Sequence, residues 1–403
     1  MKRSFLLFIT GCTFLFSQSP PFVTTRGQNI VAPDGTPILL RGINLGNWLV
    51  PEGYMFKFTT TNSPKRINDT FLQLLGPEET KKFWKQYRDN YITKEDIVFI
   101  KKSGLNSIRV PFNYRLFVSE DHETRFAGPG VEMLDRVIRW SKEIGLYVIL
   151  DMHCAPGGQT GDNIDDSEGQ PFLFDSPEAQ QLTIDLWKEI ARRYANEPTV
   201  IGYDLLNEPI ATYFDASKYN PGLEPLYKRI TAAVRDVDTN HIIFLGGAQW
   251  NTNFSVFGAP FDTKLVYTYH KYWCDTTQAM AQEYADFMKK YSVPIWMGES
   301  GENNDRWIGA WRRLNERNNF GWCFWPYKKM DSGSNMVSIK KTAEWDSIVT
   351  FANTPRMTFK EIRDARPGNN VIQKAFSDYL ELCKFSNCTV NDGYMNALGL
   401  KKQ

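Results

Sequence analysis

Two glutamates draw attention first, because each stands directly after a short apolar, β-rich run. Glu208 lies in Asn207-Glu208-Pro209, behind the run Ile201 to Leu206, and Glu299 lies in Gly298-Glu299-Ser300, behind Pro294 to Met297. Hydrolysis of a glycosidic bond needs such a pair: one acid protonates the leaving oxygen, while one carboxylate attacks or activates water. A retaining pair stands about 5–5.5 Å apart and an inverting pair about 6.5–9.5 Å, a distance the sequence does not supply. Other polar residues end neighbouring runs: Arg109, His153, His270, Tyr272 and Trp325. Each residue also has a plainer use, as an ion-pair partner, a satisfied core histidine or a packed tryptophan. Their joint occurrence at run ends favours chemistry, since two of the chain's 4 histidines fall there.

The elements that must carry these residues repeat one pattern of apolar run, loop and amphipathic helix. The runs are Leu39 to Leu45, Ser107 to Pro111, Tyr147 to Met152, Ile201 to Leu206, His241 to Leu245, Leu265 to Tyr269, Pro294 to Met297 and Gly321 to Trp325. Continuous apolarity means strands buried on both faces, as in a parallel sheet covered by helices. Eight such units without a long linker predict an α/β fold, a closed (β/α)8 barrel. No Gly-x-Gly-x-x-Gly follows the first strand, which argues against an open dinucleotide-binding sheet. Pro33-Asp34-Gly35 between Gln28–Val31 and Pro37–Leu40 reads as an N-terminal hairpin, and 355–403 as a C-terminal helical appendage. In such barrels the strand C-termini converge on one mouth, so both glutamates are expected to face it.

Composition removes several classes. A net charge of +1 over 403 residues gives no footprint for nucleic acid or an anionic membrane. The 12 Trp, 18 Tyr and 27 Phe suit either sugar stacking or a large core. Trp48, Trp250 and Trp273 fall in strand-end loops and are candidate stacking platforms, with packing the alternative for at least one. The acidic stretch Asp162, Asp165, Asp166 and Glu168 reads as a solvated face, with sugar contacts or calcium as the alternatives. Cys383 and Cys388 are close enough to close a small disulfide in an oxidising compartment. Cys154, Cys274 and Cys323 lack zinc spacing, and no metal or other cofactor is expected. Sequons at Asn68, Asn253 and Asn387 matter only in a eukaryotic host.

Lys2 and Arg3 followed by the apolar Phe5 to Phe16 read as a cleaved secretory signal over 1–19, leaving a catalytic domain over 20–403. Ile9-Thr10-Gly11-Cys12 offers the alternative of lipoprotein processing before Cys12, giving a lipid anchor at the outer surface. The expected location is extracellular or periplasmic. No later stretch approaches the roughly 18 apolar residues of a membrane span. A monomer is expected.

The residues Arg41-Gly42-Ile43-Asn44-Leu45-Gly46-Asn47-Trp48, Asn207-Glu208-Pro209, His270-Lys271-Tyr272 and Gly298-Glu299-Ser300 resemble glycoside hydrolase family 5. The resemblance runs from Arg41 to Trp325. It implies a retaining β-glycosidase or cellulase, with Glu208 as acid/base and Glu299 as nucleophile. It further implies that Arg109, His153, Asn207, His270, Tyr272 and Trp325 bind or support the substrate, a β-glucan or related polysaccharide. Asn207 would reach the sugar 2-hydroxyl and Trp325 would lie under the sugar. Asn44 to Glu52 and Ala155-Pro156-Gly157-Gly158-Gln159 are similar to the exo-β-1,3-glucanase branch. The chain departs from that branch at Pro51–Phe56 and Pro326–Lys329, leaving linkage and endo or exo action open. Mannan, a furanoside-bearing glycan and a non-catalytic carbohydrate-binding barrel are the alternatives.

Overall fold

The computed structural model describes residues 22–118 and 126–401. The signal over 1–19 and Cys12 lie outside the described residues. Eight parallel strands close a barrel in sequential order. They are β1 (Arg41–Asn44), β2 (Ser107–Asn113), β3 (Tyr147–Cys154), β4 (Val200–Asp204), β5 (Ile242–Gly246), β6 (Leu265–His270), β7 (Ile295–Glu299) and β8 (Gly321–Phe324). The expected runs and these strands agree to within two residues at each end. Among the described residues no helix is long and apolar enough to cross a membrane.

Amphipathic helices cover the barrel along most of the returns from the mouth to the bottom. Pro129–Ile144 starts on proline and ends on left-handed Gly145; Pro177–Tyr194 starts behind Ser176, whose hydroxyl accepts from the Ala179 N–H. The fifth unit departs from the expected pattern. Between β5 and β6 only a four-residue turn, Ala248–Asn251, and a short 3-10 stretch occur, because Gln249, Trp250 and Asn251 take left-handed φ of 50°, 62° and 60°. That loop delivers Trp250 and Asn251 to the mouth instead of a helix to the flank.

Two apolar regions result. Inside the barrel bottom Ile149, Ile201, Phe244, Val266, Trp296 and Cys323 pack together, and Val23, Ile30 and Ile38 of the N-terminal hairpin seal them from water. The second region lies between strands and helices. Much of the aromatic surplus falls here: Phe56, Phe58, Phe71, Tyr87, Trp345 and Tyr379 form ring contacts tying helices Pro77–Tyr91, Ala343–Asn353 and Asn369–Leu382 together.

The C-terminal appendage is also pinned by charge. Lys328, fully buried, gives Nζ to Asp96 at 2.7 Å, to the Tyr91 carbonyl at 2.7 Å and to the Cys383 carbonyl at 2.8 Å. Cys383 and Cys388 are free thiols, so the disulfide their spacing allows is not formed. Cys383 closes helix Asn369–Leu382 with its sulfur near the Leu380 carbonyl, and the Cys388 sulfur faces the Leu382 and Lys384 carbonyls instead. Asp96→Ala should strip the buried Lys328 ammonium of its counter-charge and cost about 3–5 kcal/mol. Urea unfolding measures this; a loss under about 1 kcal/mol would show that the pair anchors nothing.

Candidate active site

The mouth at the strand C-termini holds a cavity of about 610 Å³, lined by Glu52, Tyr54, His153, Ile164, Glu208, Trp250, Thr252, His270, Lys271, Tyr272, Trp273, Glu299, Glu302 and Trp325. Six of the eight site residues singled out in the sequence therefore share one wall. Arg109 and Asn207 lie fully buried beneath it.

Glu299 ends β7 where the register against β6 shifts between Met297 and Glu299, setting Glu299 opposite His270. Gly298 makes this possible: a Cβ there would come within 2.4 Å of Thr268 Oγ1 and 2.8 Å of His270 Nε2. Both Glu299 oxygens are engaged. Arg109 Nη1 donates to Oε1 at 2.5 Å and the Tyr272 hydroxyl donates to Oε2 at 3.0 Å.

Glu208 lies past the end of β4 in a left-handed conformation (φ 45°), as does Ile210 (φ 58°). Such strain persists only where the surroundings impose it. Here the loop after β3 does so. Gln159 Nε2 donates to the Asn207 carbonyl at 2.7 Å, Thr160 Oγ1 donates to the Glu208 carbonyl at 2.8 Å, and the Ile210 N–H donates to the Gln159 carbonyl. Asp165 in turn accepts the N–H groups of Thr160, Gly161 and Ser167. Asp166 accepts from the Lys65 N–H and pairs with Arg115 at 3.0 Å. The acidic stretch is thus not a solvated face at these two positions: both carboxylates are buried and hold the loop that holds Glu208.

The histidines have fixed roles as hydrogen-bond carriers. Asn207 Oδ1 accepts from Arg109 Nη2 at 2.8 Å, so its amide donates to His153 Nε2 at 3.3 Å. His153 Nδ1 then carries the proton toward Asp151, 2.7 Å away. The Asn251 amide lies 3.1 Å from His270 Nε2, and His270 Nδ1 lies 2.9 Å from Glu208 Oε1. Burial holds the His153 pKa down at about 3 and pushes His270 well below the usual imidazole range, with Arg109 adding to both. The Trp325 ring stacks on His153, centroids 5.5 Å apart, and rests over Gly46, where a Cβ would strike it at 2.6 Å.

Burial and then repulsion from Glu299 push the Glu208 pKa well up; burial also raises Glu299, but Arg109 opposes it. Glu299 is accordingly the first of the two to ionise. Burial and then the neighbouring glutamates keep Tyr272 a phenol.

The sequence pattern gave no sign of Glu302 or the buried Asp204, and it assigned no role to Glu52, Gln159 or Asp151. Glu52 and Glu302 each keep one buried carboxylate oxygen without a hydrogen-bond partner among the described residues. Of the three candidate platforms, Trp48 is packed in the core (1% exposed), Trp250 is half-buried at the cavity, and Trp273 is 74% exposed at its rim. Glu208, His270 and Glu299 also form a possible cation set, their ligand atoms all within 4.8 Å. A cation bound there would compete with the Tyr272 and Arg109 donors for Glu299.

A closed barrel that turns two carboxylates toward one another across its C-terminal mouth has the architecture of a glycoside hydrolase. The chain belongs to glycosyl hydrolase family 5: the family model described as Cellulase (glycosyl hydrolase family 5) matches residues 67–331. It is 34% identical over 239 residues to a beta-xylosidase of Phanerodontia chrysosporium, covering 59% of this chain and 48% of that protein, so it spans about half of that relative's length. It is 30% identical over 305 residues to a glucan 1,3-beta-glucosidase of Lachancea kluyveri, covering 69% of this chain and 68% of that one. Its fold is similar to that of Thermotoga maritima Cel5A in complex with cellobiose (TM-score 0.52, 20% identity, 81% and 97% covered).

Asp151 and Asp204 share the Arg109 guanidinium with Glu299, and burial lifts each to about 7 against its pull. The unfolded chain releases these protons near 3.8, so the native state binds more protons above that pH. Their stabilising contribution is complete below about pH 4 and is lost as pH rises through about 7. The neutral histidines act in the opposite sense, so the informative quantity is a difference between proteins. Asp204→Asn cannot ionise, and its stability should improve relative to the unsubstituted protein as pH goes from 5 to 8. A difference that stays constant in urea unfolding at both pH values would refute the assignment.

Proposed function

We propose that this protein is a retaining β-glycosidase acting on β-linked glucan, with Glu299 as nucleophile and Glu208 as acid/base. The observation that carries the reading is the spacing of the pair. An oxygen of each carboxylate lies within 4.8 Å of one on the other, a short spacing that supports a retaining pair over the roughly 6.5–9.5 Å of an inverting one.

In the first step Glu208 gives its proton to the glycosidic oxygen as a Glu299 oxygen attacks the anomeric carbon. The leaving group departs as an alcohol and a glycosyl ester forms on Glu299. That ester carries no charge, so the repulsion that kept Glu208 protonated is gone and Glu208 can take a proton from water. Water attacks the anomeric carbon, the ester bond breaks, and Glu299 leaves as a carboxylate that Arg109 and Tyr272 stabilise. Asn207, its oxygen held by Arg109, would direct its remaining N–H to the sugar 2-hydroxyl, and Trp325 would lie under the sugar. Trp250 and Trp273 offer apolar faces for further units.

The similarity to a glucan 1,3-beta-glucosidase supports glucan as the substrate class. We further propose export to the periplasm or medium, on the strength of Lys2, Arg3 and the apolar run to Phe16; mass spectrometry of the mature N-terminus separates this from lipidation at Cys12.

Incubation with β-1,3-, β-1,4- and β-1,6-glucans and mannan should give turnover on at least one β-glucan, unaffected by a chelator. NMR of the first product should show the β-anomer before mutarotation; an initial α-anomer would overturn the retaining mechanism. Glu299→Gln should lower kcat by at least about 10⁴-fold with the melting temperature held or raised, since a buried repulsion is removed. Activity within tenfold of normal would refute its role as nucleophile.

A further inference from the structure

Glu302 is a further acid at the mouth, and the double-displacement mechanism has no use for it. Its position is built with care. Gly301 (φ 145°) pairs with Trp325, and a Cβ at Gly301 would meet the Trp325 carbonyl at 2.3 Å, so only glycine brings this loop so close. Glu302 itself is left-handed (φ 51°), and its carbonyl accepts from Trp273 Nε1 at 3.1 Å. Its Oε2 accepts from Lys329 Nζ at 2.6 Å. Lys329 also lies 4.5 Å over the Tyr54 ring, and the Tyr54 hydroxyl accepts from Trp325 Nε1 at 2.7 Å. One chain of contacts therefore fixes the Glu302 carboxylate relative to both the Trp325 ring and the rim tryptophan.

Within this fixed frame the Glu302 side chain lines the cavity, and its buried Oε1 has no hydrogen-bond partner among the described residues. A buried acceptor without a donor is costly unless a ligand supplies one. A structural ion pair would be complete with Lys329 alone and would not need a strained backbone at the cavity.

We propose that Glu302 is a specificity residue: with Lys329 holding Oε2, Oε1 accepts a hydroxyl from the sugar unit seated on Trp325. The site would then take a fully hydroxylated hexosyl unit and reject one lacking that group, such as a deoxy sugar or a pentosyl unit without the hydroxymethyl arm. Loss of the hydroxyl leaves the carboxylate oxygen orphaned again, which discriminates far more strongly than loss of a methylene. This inference rests on the glycosidase reading of the cavity.

The experiment is kcat/KM on the aryl glycoside of the sugar that the glycan panel identifies, on its monodeoxy derivatives, and on the corresponding pentoside. The unsubstituted enzyme should lose about 100-fold or more on at least one analogue. Glu302→Ala should bring that analogue and the parent to within about threefold of each other, while the remaining analogues keep their ratios. Lys329→Met, which frees the carboxylate to move, should weaken the same discrimination in part. If Glu302→Ala lowers all substrates by one common factor and leaves every ratio unchanged, the residue is structural and the inference fails. It fails equally if the unsubstituted enzyme shows no such discrimination. If the unsubstituted enzyme hydrolyses no glycoside at all, the glycosidase reading falls and takes this inference with it. Glu302→Gln, of equal size, guards against misfolding: it should melt like the parent and still lose discrimination.

Discussion

One guanidinium organises the mouth of this barrel. Arg109, wholly buried on β2, reaches Asp151 on β3, Asp204 at the end of β4, Asn207 just beyond it, Glu299 on β7 and Asn44 on β1. A lone cation so placed would be prohibitively costly, and so would three carboxylates without it. Together they offset the cost of one another's burial, and the three acids carry the Arg109 pKa upward. Because one positive charge faces several acids, it does not hold all of them down equally. Burial lifts Asp151 and Asp204 to about 7 and Glu208 well up, while Arg109 opposes the rise most directly at Glu299, nearest the guanidinium. An asymmetry between two chemically identical glutamates thus follows from where one arginine points.

Around that centre the neighbouring loops supply shape. The loop after β3 forces Glu208 into a left-handed turn, a register shift at Gly298 sets Glu299 beside His270, and Gly46 leaves room for the Trp325 ring. Of the three, the Glu208 turn goes against local backbone preference, and hydrogen bonds from the loop after β3 hold it there. Local strain of this kind survives because a closed barrel fixes its strand ends from all sides.

Much of this was legible in the chain. Eight continuously apolar runs pointed to the barrel because strands buried on both faces leave that pattern, and polar residues at the run ends pointed to six of the lining residues. Other parts were not. The missing fifth helix depended on a left-handed run that no periodicity reports. Asp165 and Asp166 read as solvated because composition cannot see the N–H groups they bind. Cys383 and Cys388 were close in sequence, yet their thiols face carbonyls and not each other. Glu52 and Glu302 carried no run-end signature, since both lie in loops whose course is set by contacts far along the chain.

The sequence by itself determined the class of architecture and the identity of the two carboxylates, because burial pattern and strand position are local properties written in residue order. The tertiary structure decided how far apart those carboxylates stand, which of them keeps its proton, and which further acids border the cavity. These depend on distances between strands that meet only when the barrel closes, and on a dielectric and a set of counter-charges that do not exist before it does.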